Sequence, residues 1–184
     1  MAAKILWTDA TMKAQHLLAR WLLLSLTVIS LIACTTTPKL VFHSFEFDFI
    51  YDSPDAELLD YRYGNSKNPA ARNSEWMLSQ GKSKQQSGTG GLMLRGDDLY
   101  VKWRSRSTGH IYEDTVDLRN RLPADIANCR ILFLVRGPQL YVYLVTPQKR
   151  SQDEAPNGPR MYHDLKTLTI YPDQQKSQSP TRKE

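Results

Sequence analysis

His163 and Asp164 are neighbours whose types could support general base catalysis. A carboxylate beside a histidine can orient the ring, which then removes a proton from a nucleophile. A hydrolase of this kind also needs that nucleophile, and no serine lies in a G-x-S-x-G turn. We therefore predict that the protein is not an enzyme, and we keep a small hydrolase using His163 and Asp164 as an alternative.

Two other patterns point to chemistry only weakly. Residues 81–83, Gly-Lys-Ser, match the end of a phosphate-binding loop, but that motif requires glycine where Trp76 stands. Adjacent carboxylates occur at residues 97–98 and 113–114. Neighbouring residues on a strand point to opposite faces, so neither pair converges by itself. Turn formation and cross-strand charge pairing explain these carboxylates more simply.

The histidines are too scattered along the chain to predict a metal site. Beyond residue 33 the chain has His43, His110 and His163, and none lies within four residues of another. Metal ligands commonly occur as closer pairs. We predict no bound metal and no cofactor, and we expect His110 to be solvated in a hairpin turn.

An apolar run at residues 21–33 directly precedes Cys34. Lys13 and Arg20 lie before the run, and no acidic residue occurs between Asp9 and the cysteine. A basic segment followed by an apolar segment is typical of an export signal. A membrane-spanning helix needs about 20 apolar residues, so this run is short for an anchor.

The sequence LIAC at residues 31–34 resembles the lipobox of bacterial lipoproteins, in which a leucine and small or apolar residues precede the cysteine. The resemblance implies cleavage before Cys34 and acylation of its thiol and its freed amine, which would anchor the protein stably. Thr35 in place of aspartate implies the outer membrane. A short signal anchor and a buried helix with a chance cysteine are the alternatives. The turn-prone Thr-Thr-Thr-Pro at residues 35–38 disfavours both.

Composition predicts one ordinary domain after the leader. Cleavage before Cys34 leaves 151 of 184 residues, enough for one hydrophobic core. Removing the three basic residues and one acid of the leader from totals of 24 and 19 leaves 21 and 18. This net charge of +3 is too small to predict nucleic-acid binding. With Cys34 acylated, Cys129 cannot form an intramolecular disulfide, and we expect it in the core.

Strand patterns dominate the rest of the chain. Alternating apolar and polar residues indicate strands with one buried face, and continuous apolar runs indicate strands buried on both faces. These patterns predict about seven strands, at residues 45–51, 59–63, 99–104, 111–118, 131–135, 140–145 and 165–171. Turn signals between them favour an all-β fold, an antiparallel β-sandwich, with a small β-barrel as the alternative.

A hairpin with a defined register is predicted around the turn at residues 107–110. Placing Val101 opposite Val116 gives one largely apolar face and sets Arg104 opposite Glu113 on the other. A slip of one residue would scramble both faces. We therefore predict this pairing.

The least regular part of the chain is residues 64–96, which we predict to be a long loop. Within it, Ser-Gly-Thr-Gly-Gly at residues 87–91 is expected to be a flexible connector. We expect Trp76 to dock on the core, with an exposed binding residue as the alternative. The predicted organisation is a signal peptide at 1–33, a lipidated tether at 34–40, the β-sandwich domain at 41–172 and a disordered tail at 173–184.

Three segments together resemble a family of uncharacterised proteobacterial outer-membrane lipoproteins: RGDDLYVKWRS at 95–105, YEDTVDL at 112–118 and LPADI at 122–126. Members carry a strand of the type L-Y-V-x-W, a tyrosine-bearing partner strand and a short leucine-proline turn. The resemblance implies a periplasm-facing β-rich domain on a lipid anchor, and it supplies no catalytic residues. Some small lipoproteins of this general sort protect the producing cell from a secreted toxin.

These observations predict a non-enzymatic lipoprotein whose β-domain binds another macromolecule of the cell envelope. We expect a protein partner, in a role such as toxin immunity or as an envelope accessory. Arg72 and Trp76 are the candidate contacts. The alternatives are the small envelope hydrolase and a carrier of an apolar ligand between the sheets, which would need a cavity among Phe45, Phe47 and Phe49.

Overall fold

The computed structural model of the chain describes residues 40–65 and 68–173. Within them lie eight strands: β1 (Leu40–Asp48), β2 (Ala56–Tyr63), β3 (Gln86–Leu94), β4 (Asp98–Ser105), β5 (Ile111–Asp117), β6 (Arg130–Arg136), β7 (Gln139–Lys149) and β8 (Leu165–Tyr171). The connections include two short helices, α1 (Phe49–Asp52) and α2 (Glu75–Ser79), and two 3-10 turns, Pro69–Ala71 and Arg160–Tyr162. None of the helices in this part of the chain is long and apolar enough to cross a membrane.

The strands form two sheets, which confirms the predicted all-β sandwich. One sheet has five strands in the order β3-β1-β6-β7-β8, and the other has three in the order β2-β4-β5. β1 and β6 are parallel, and the other neighbouring strands are antiparallel. Because the described strands divide between two separate sheets, the alternative of one closed barrel is wrong.

An aromatic core joins the two sheets. Phe45 on β1 stacks on Tyr63 of β2 with ring centroids 4.8 Å apart, and Phe133 on β6 lies 5.7 Å from Phe45. Trp103 on β4 is buried, and its indole nitrogen donates to the Gly137 carbonyl at 2.9 Å. This hydrogen bond connects the smaller sheet to the β6–β7 turn of the larger one. Each large ring buries much apolar surface, so this cluster supplies a major part of the hydrophobic stabilisation.

β6 is buried on both faces, as its continuous apolar sequence predicts. Phe133 lies in the core between the sheets, and Leu132 on the opposite face is buried as well. The loop at residues 150–164, between β7 and β8, covers this outer face. A Cβ added to Gly158 of the loop would lie 3.4 Å from the ring of Tyr143 on β7.

The glycine-rich segment that we expected to be a flexible connector lies within strand β3. Residues Gln86–Leu94 pair with β1 in a regular antiparallel register, so the described chain has eight strands rather than about seven. Glycine is unfavourable in strands, and the segment therefore lacks the usual sequence signal. Close packing explains one of the glycines, because a Cβ on Gly90 would lie 2.8 Å from Ser44 Oγ.

β1 ends at Asp48 rather than at Tyr51, where the alternating pattern placed its end. Asp48 caps α1, since its Oδ1 accepts hydrogen bonds from the backbone amides of Ile50 and Tyr51 at 3.0 and 3.1 Å. Aspartate is a favoured N-cap because it satisfies amides that the first helical turn leaves free. The change to helical geometry buries Phe49 and leaves Ile50 and Tyr51 exposed.

The predicted register of the β4–β5 hairpin is wrong. Val101 lies opposite Asp114, and Leu99 lies opposite Val116, a shift of two residues. Such a shift keeps every side chain on its predicted face. The apolar pattern therefore cannot distinguish the observed register from the predicted one.

Contacts of the hairpin loop favour the observed register. Asp55 holds this loop, because its two carboxylate oxygens accept hydrogen bonds from the amide and the hydroxyl of Ser107 at 3.1 and 2.8 Å. In the observed register, Arg104 lies opposite Ile111. Its guanidinium pairs with Glu57 of β2 at 3.1 Å, instead of with its predicted partner on β5.

Candidate binding site

Three neighbouring recesses surround the turn that follows β1. Their volumes are about 350, 240 and 260 Å³, and Asp52 at the end of α1 lines all three. Arg160, from the loop between β7 and β8, lines two of them. The three recesses therefore form one surface region, which we call the Asp52 site.

Asp52 is held half-buried between α1 and the loop. Its Oδ1 accepts a hydrogen bond from the backbone amide of Arg160 at 3.0 Å. Burial raises the pKa of the Asp52 carboxyl, the Arg160 amide opposes this rise, and the nearby Asp48 carboxylate adds to it. A carboxylate whose pKa is shifted by burial in a recess is a candidate functional group, because such shifts are concentrated at functional sites.

Apolar side chains around Asp52 are exposed to solvent. Tyr51 and Met161 line the same recess, with 63% and 62% of their surfaces exposed. Ile50, the neighbour of Tyr51, is also exposed. Single exposed apolar residues are ordinary, but a cluster beside a recess is typical of a binding surface.

Hydrogen bonds fix the loop that contributes Arg160 and Met161 to the site. The Tyr162 hydroxyl donates to Glu46 Oε2 on β1 at 2.5 Å, and Arg130 Nη1 on β6 donates to Glu46 Oε1 at 2.8 Å. Burial, and then the hydrogen bond to Glu46, raise the pKa of Tyr162 to about 12, so the phenol is protonated at neutral pH. The loop wall of the site is therefore held in place by contacts within the chain.

The opposite wall, formed by α1, is fixed as well. Ser53 is buried, and its hydroxyl oxygen accepts a hydrogen bond from the Val135 amide at 2.9 Å. Asp48 caps α1 with one oxygen and accepts a hydrogen bond from Gln86 Nε2 with the other, at 2.9 Å. A preorganised surface loses less conformational entropy on binding.

Trp76 does not dock on the core, so that expectation is wrong. It lies on α2 and is 71% exposed, and α2 buries none of its residues. Asn73 fixes the loop instead, because its Nδ2 donates to the carbonyls of Leu59 and Lys82 at 3.3 and 3.1 Å. An exposed tryptophan agrees with the alternative role of a binding residue, which stays a prediction.

Arg72 is exposed too, and its backbone forms an isolated antiparallel bridge with Arg62 of β2. Among the described residues, no hydrogen bond or cation–π contact joins Arg72 to Trp76. Neither residue lines the recesses around Asp52. The two candidate contacts and the Asp52 site are thus separate sets of residues.

His163 and Asp164 do not form a catalytic pair in the structure. His163 is exposed, and its Nδ1 contacts the carbonyl oxygen of Arg160 at 3.1 Å instead of a carboxylate. In residues 40–65 and 68–173, no serine hydroxyl is hydrogen-bonded to His163. The same part of the chain contains no group of three or more His, Cys, Asp or Glu side chains that could hold a metal ion.

Two other side chains that could react, those of Cys129 and His110, lie where the sequence predicts. Cys129 is buried, as predicted, and burial raises the pKa of its thiol. A raised thiol pKa makes the nucleophilic thiolate scarce at neutral pH. His110 is exposed beside its hairpin turn, also as predicted. Cys34, the predicted lipidation site, lies outside the described residues.

The residues of the Asp52 site were not among the predicted binding residues. The alternating pattern places Ile50 and Tyr51 in the first predicted strand, and no predicted element includes Met161. The available signal was Asp48, a favoured helix cap placed just before two apolar residues. Comparisons of the chain with protein-family models, with curated proteins and with solved structures found no match.

Proposed function

We propose that the protein is a lipid-anchored, non-enzymatic lipoprotein of the bacterial envelope whose β-sandwich binds a protein partner at the Asp52 site. The lipobox-like sequence ending at Cys34 supports the anchor and a location at the outer membrane, facing the periplasm. Toxin immunity and an accessory role in the envelope are both forms of this binding function.

The exposure of Ile50, Tyr51 and Met161 around the half-buried Asp52 carries the proposal. Protein interfaces combine exposed aromatic and apolar side chains at their centres with a few hydrogen-bonding groups. The recess that Tyr51 and Met161 line has a volume of about 260 Å³, which gives a partner side chain a place to enter. Asp52 supplies an acceptor for a donor on that partner.

The charges of the site favour a protein over a nucleic acid. Asp48 and Asp52 line the recess together with Arg160, so negative and positive groups are mixed. Protein surfaces that bind nucleic acids instead carry clustered positive charge, which neutralises the phosphates. The small net charge of the chain agrees with this conclusion.

The two alternative functions gain less support. A hydrolase would need His163 to meet a carboxylate and a nucleophile, and its ring contacts a backbone carbonyl instead. A carrier would need space among three phenylalanines of the core. Phe47 lies 6.4 Å from Phe45, 6.2 Å from Phe49 and 5.0 Å from Phe133, as measured between ring centroids. These rings occupy the interior that an apolar ligand would require.

Photo-cross-linking in living cells tests the proposal. A benzophenone amino acid replaces Tyr51 or Met161 in the full chain, and Leu92, which is 70% exposed, serves as the matched control. We expect positions 51 and 161 to yield the same protein adduct, identified by mass spectrometry. Position 92 should yield none.

A further substitution at Trp76 separates the two candidate surfaces. An adduct at position 76 without one at 51 or 161 would reject the Asp52 site in favour of the surface predicted from sequence. Absence of a discrete protein adduct at all three positions would contradict the binding function itself.

A further inference from the structure

A second exposed apolar surface lies at the start of β1. Leu40 and Phe42 are each 55% exposed, and Leu92 on β3 is 70% exposed. Phe42 lies directly opposite Leu92, and Leu40 lies opposite Leu94. Alternate residues share one face of a sheet, so these four side chains form a continuous surface, which we call the β1–β3 patch.

The patch lies on the face of the sheet that turns away from the core. Met93, between two patch residues, points the other way and is buried. β3 is an edge strand, and Gln86–Leu94 contains neither lysine nor proline, which commonly protect such edges. A cluster of exposed apolar residues at an unprotected edge indicates a surface that another body covers.

The position of the patch in the chain indicates what covers it. Leu40 follows Cys34 by six residues. A fully extended segment of that length spans at most about 20 Å. An acylated Cys34 lies at the bilayer surface, so the patch would be held within this short distance of the lipid.

We propose that the β1–β3 patch inserts into the interfacial region of the bilayer that holds the acyl chains. This inference rests on the lipid anchor of the proposed function. Leu40 and Phe42 are separated by about 7 Å along the strand. Apolar surfaces of peripheral proteins enter the boundary between headgroups and acyl chains to a depth of about 5–10 Å.

The polar residues that follow along β1 mark the limit of insertion. Ser44 is the next residue on the same face, and Glu46 comes after it. The Glu46 carboxylate pairs with Arg130 at 2.8 Å and accepts the Tyr162 hydroxyl. Charged groups are costly in hydrocarbon, so this network belongs in the aqueous phase.

Insertion of the patch would also orient the Asp52 site. β1 has nine residues, and its first and last residues are therefore about 27 Å apart, at a rise of about 3.4 Å for each step between neighbours. The patch lies at its first residues, and α1 follows its last. With the patch at the bilayer, the Asp52 site faces the periplasm, where a soluble or membrane-bound partner can reach it.

Photo-cross-linking to lipid tests the proposal. The full acylated chain is reconstituted into vesicles of phosphatidylethanolamine and phosphatidylglycerol, with the benzophenone amino acid at position 42 or 92. Ile111, at the start of β5, is 53% exposed and serves as the matched control. After illumination, we expect phospholipid adducts to be several-fold more abundant at positions 42 and 92 than at 111.

Equal lipid labelling at positions 42 and 111 would overturn the inference, because a loosely tethered domain contacts lipid without preference. A cross-linked dimer of the chain at position 42, without lipid adducts, would show that a second copy covers the patch. The intact mass of the reconstituted chain shows whether it is acylated, and so distinguishes a failure of the lipid anchor from a failure of patch insertion. An unacylated chain rejects the anchor and this inference with it, whereas an acylated chain without lipid adducts rejects this inference alone.

Discussion

The Tyr162 hydroxyl donates a 2.5 Å hydrogen bond to Glu46 and thereby fastens the β7–β8 loop to β1. The Glu46 side chain is only 17% exposed, and Arg130 pairs with its other oxygen. The Arg130 guanidinium also lies 5.2 Å from the centre of the Tyr162 ring. These three residues hold the loop that brings Met161 and Arg160 to Asp52.

We expect Tyr162→Phe to loosen this loop. The substitution removes a hydrogen bond to a charged group, a kind of interaction that contributes about 1.5 to 3 kcal/mol. Hydrogen exchange followed by mass spectrometry should show faster exchange in residues 150–164, with little change in the strands. Tyr141→Phe is the control, because the described residues offer its hydroxyl no hydrogen-bond partner. Equal exchange in the two variants would contradict the assigned role of Tyr162.

His43 is expected to make the stability of the domain depend on pH. It is buried, its Nε2 lies 3.1 Å from the Tyr63 hydroxyl, and its Nδ1 lies 2.9 Å from the Val41 carbonyl oxygen. The carbonyl can only accept, so Nδ1 donates to it and the neutral ring accepts the Tyr63 hydroxyl at Nε2. Burial lowers the pKa of His43 below the ordinary value of 6.5, and the hydrogen bond to Val41 opposes this shift.

The unfolded chain therefore takes up the His43 proton first as the pH falls. The contribution of the neutral His43 ring to the free energy of unfolding is fully present above about pH 6.5. As the pH falls below that value, this contribution decreases by at most about 1.4 kcal/mol per pH unit. Urea unfolding at several pH values should show a shallower decline for His43→Gln than for the native chain. Identical slopes for the two proteins would show that His43 is not the titrating group.

Gly96→Ala is expected to destabilise the fold. A Cβ at this position would lie 2.5 Å from a carbon of the Tyr63 ring, which is fully buried and has no room to move. Overpacking of this kind costs about 1 to 3 kcal/mol. Gly88→Ala is the matched control, because its Cβ would lie 3.5 Å from Glu46 Cγ, an ordinary contact. A similar loss of unfolding free energy in both variants would contradict the packing argument.

Tyr51→Ala and Met161→Ala are each expected to weaken partner binding by about thirtyfold or more, because truncation of an interface hot spot costs about 2 kcal/mol or more. Both side chains are largely exposed, so the free energy of unfolding should change little. Affinity for the cross-linked partner, measured by calorimetry, checks the prediction. Leu168→Ala, at a partly exposed position on β8, serves as the control. Unchanged affinity in the Tyr51 and Met161 variants would place the contact elsewhere.

The sequence predicts those parts of the fold for which the pattern of apolar and polar residues is compatible with only one structure. Leu99, Val101 and Trp103 alternate with polar residues and are all buried on β4. The predicted register of the β4–β5 hairpin is wrong because a shift of two residues preserves this alternation, so the pattern fits both registers equally well. β3 was missed because its glycines carry no strand preference and are ordered by pairing with β1.

The Asp52 site could not be predicted from local patterns. Asp52 and Arg160 meet through a hydrogen bond although 108 residues separate them in the chain. Their contact depends on the path of the β7–β8 loop across the outer face of the larger sheet. The alternation of apolar and polar residues cannot predict that path. Trp76, by contrast, is a candidate contact by residue type alone. Whether it is buried or exposed could be determined only from the structure.

Mass spectrometry of the N-terminal peptide from the envelope-derived protein tests the proposed lipid anchor, because that anchor would set both the location and the orientation of the domain. We predict that Cys34 is the first residue and that it carries fatty acyl chains, and that Cys34→Ser abolishes the modification. A chain that retains residues 1–33 with an unmodified Cys34, recovered from the cytosol, would contradict both the lipid anchor and the envelope location.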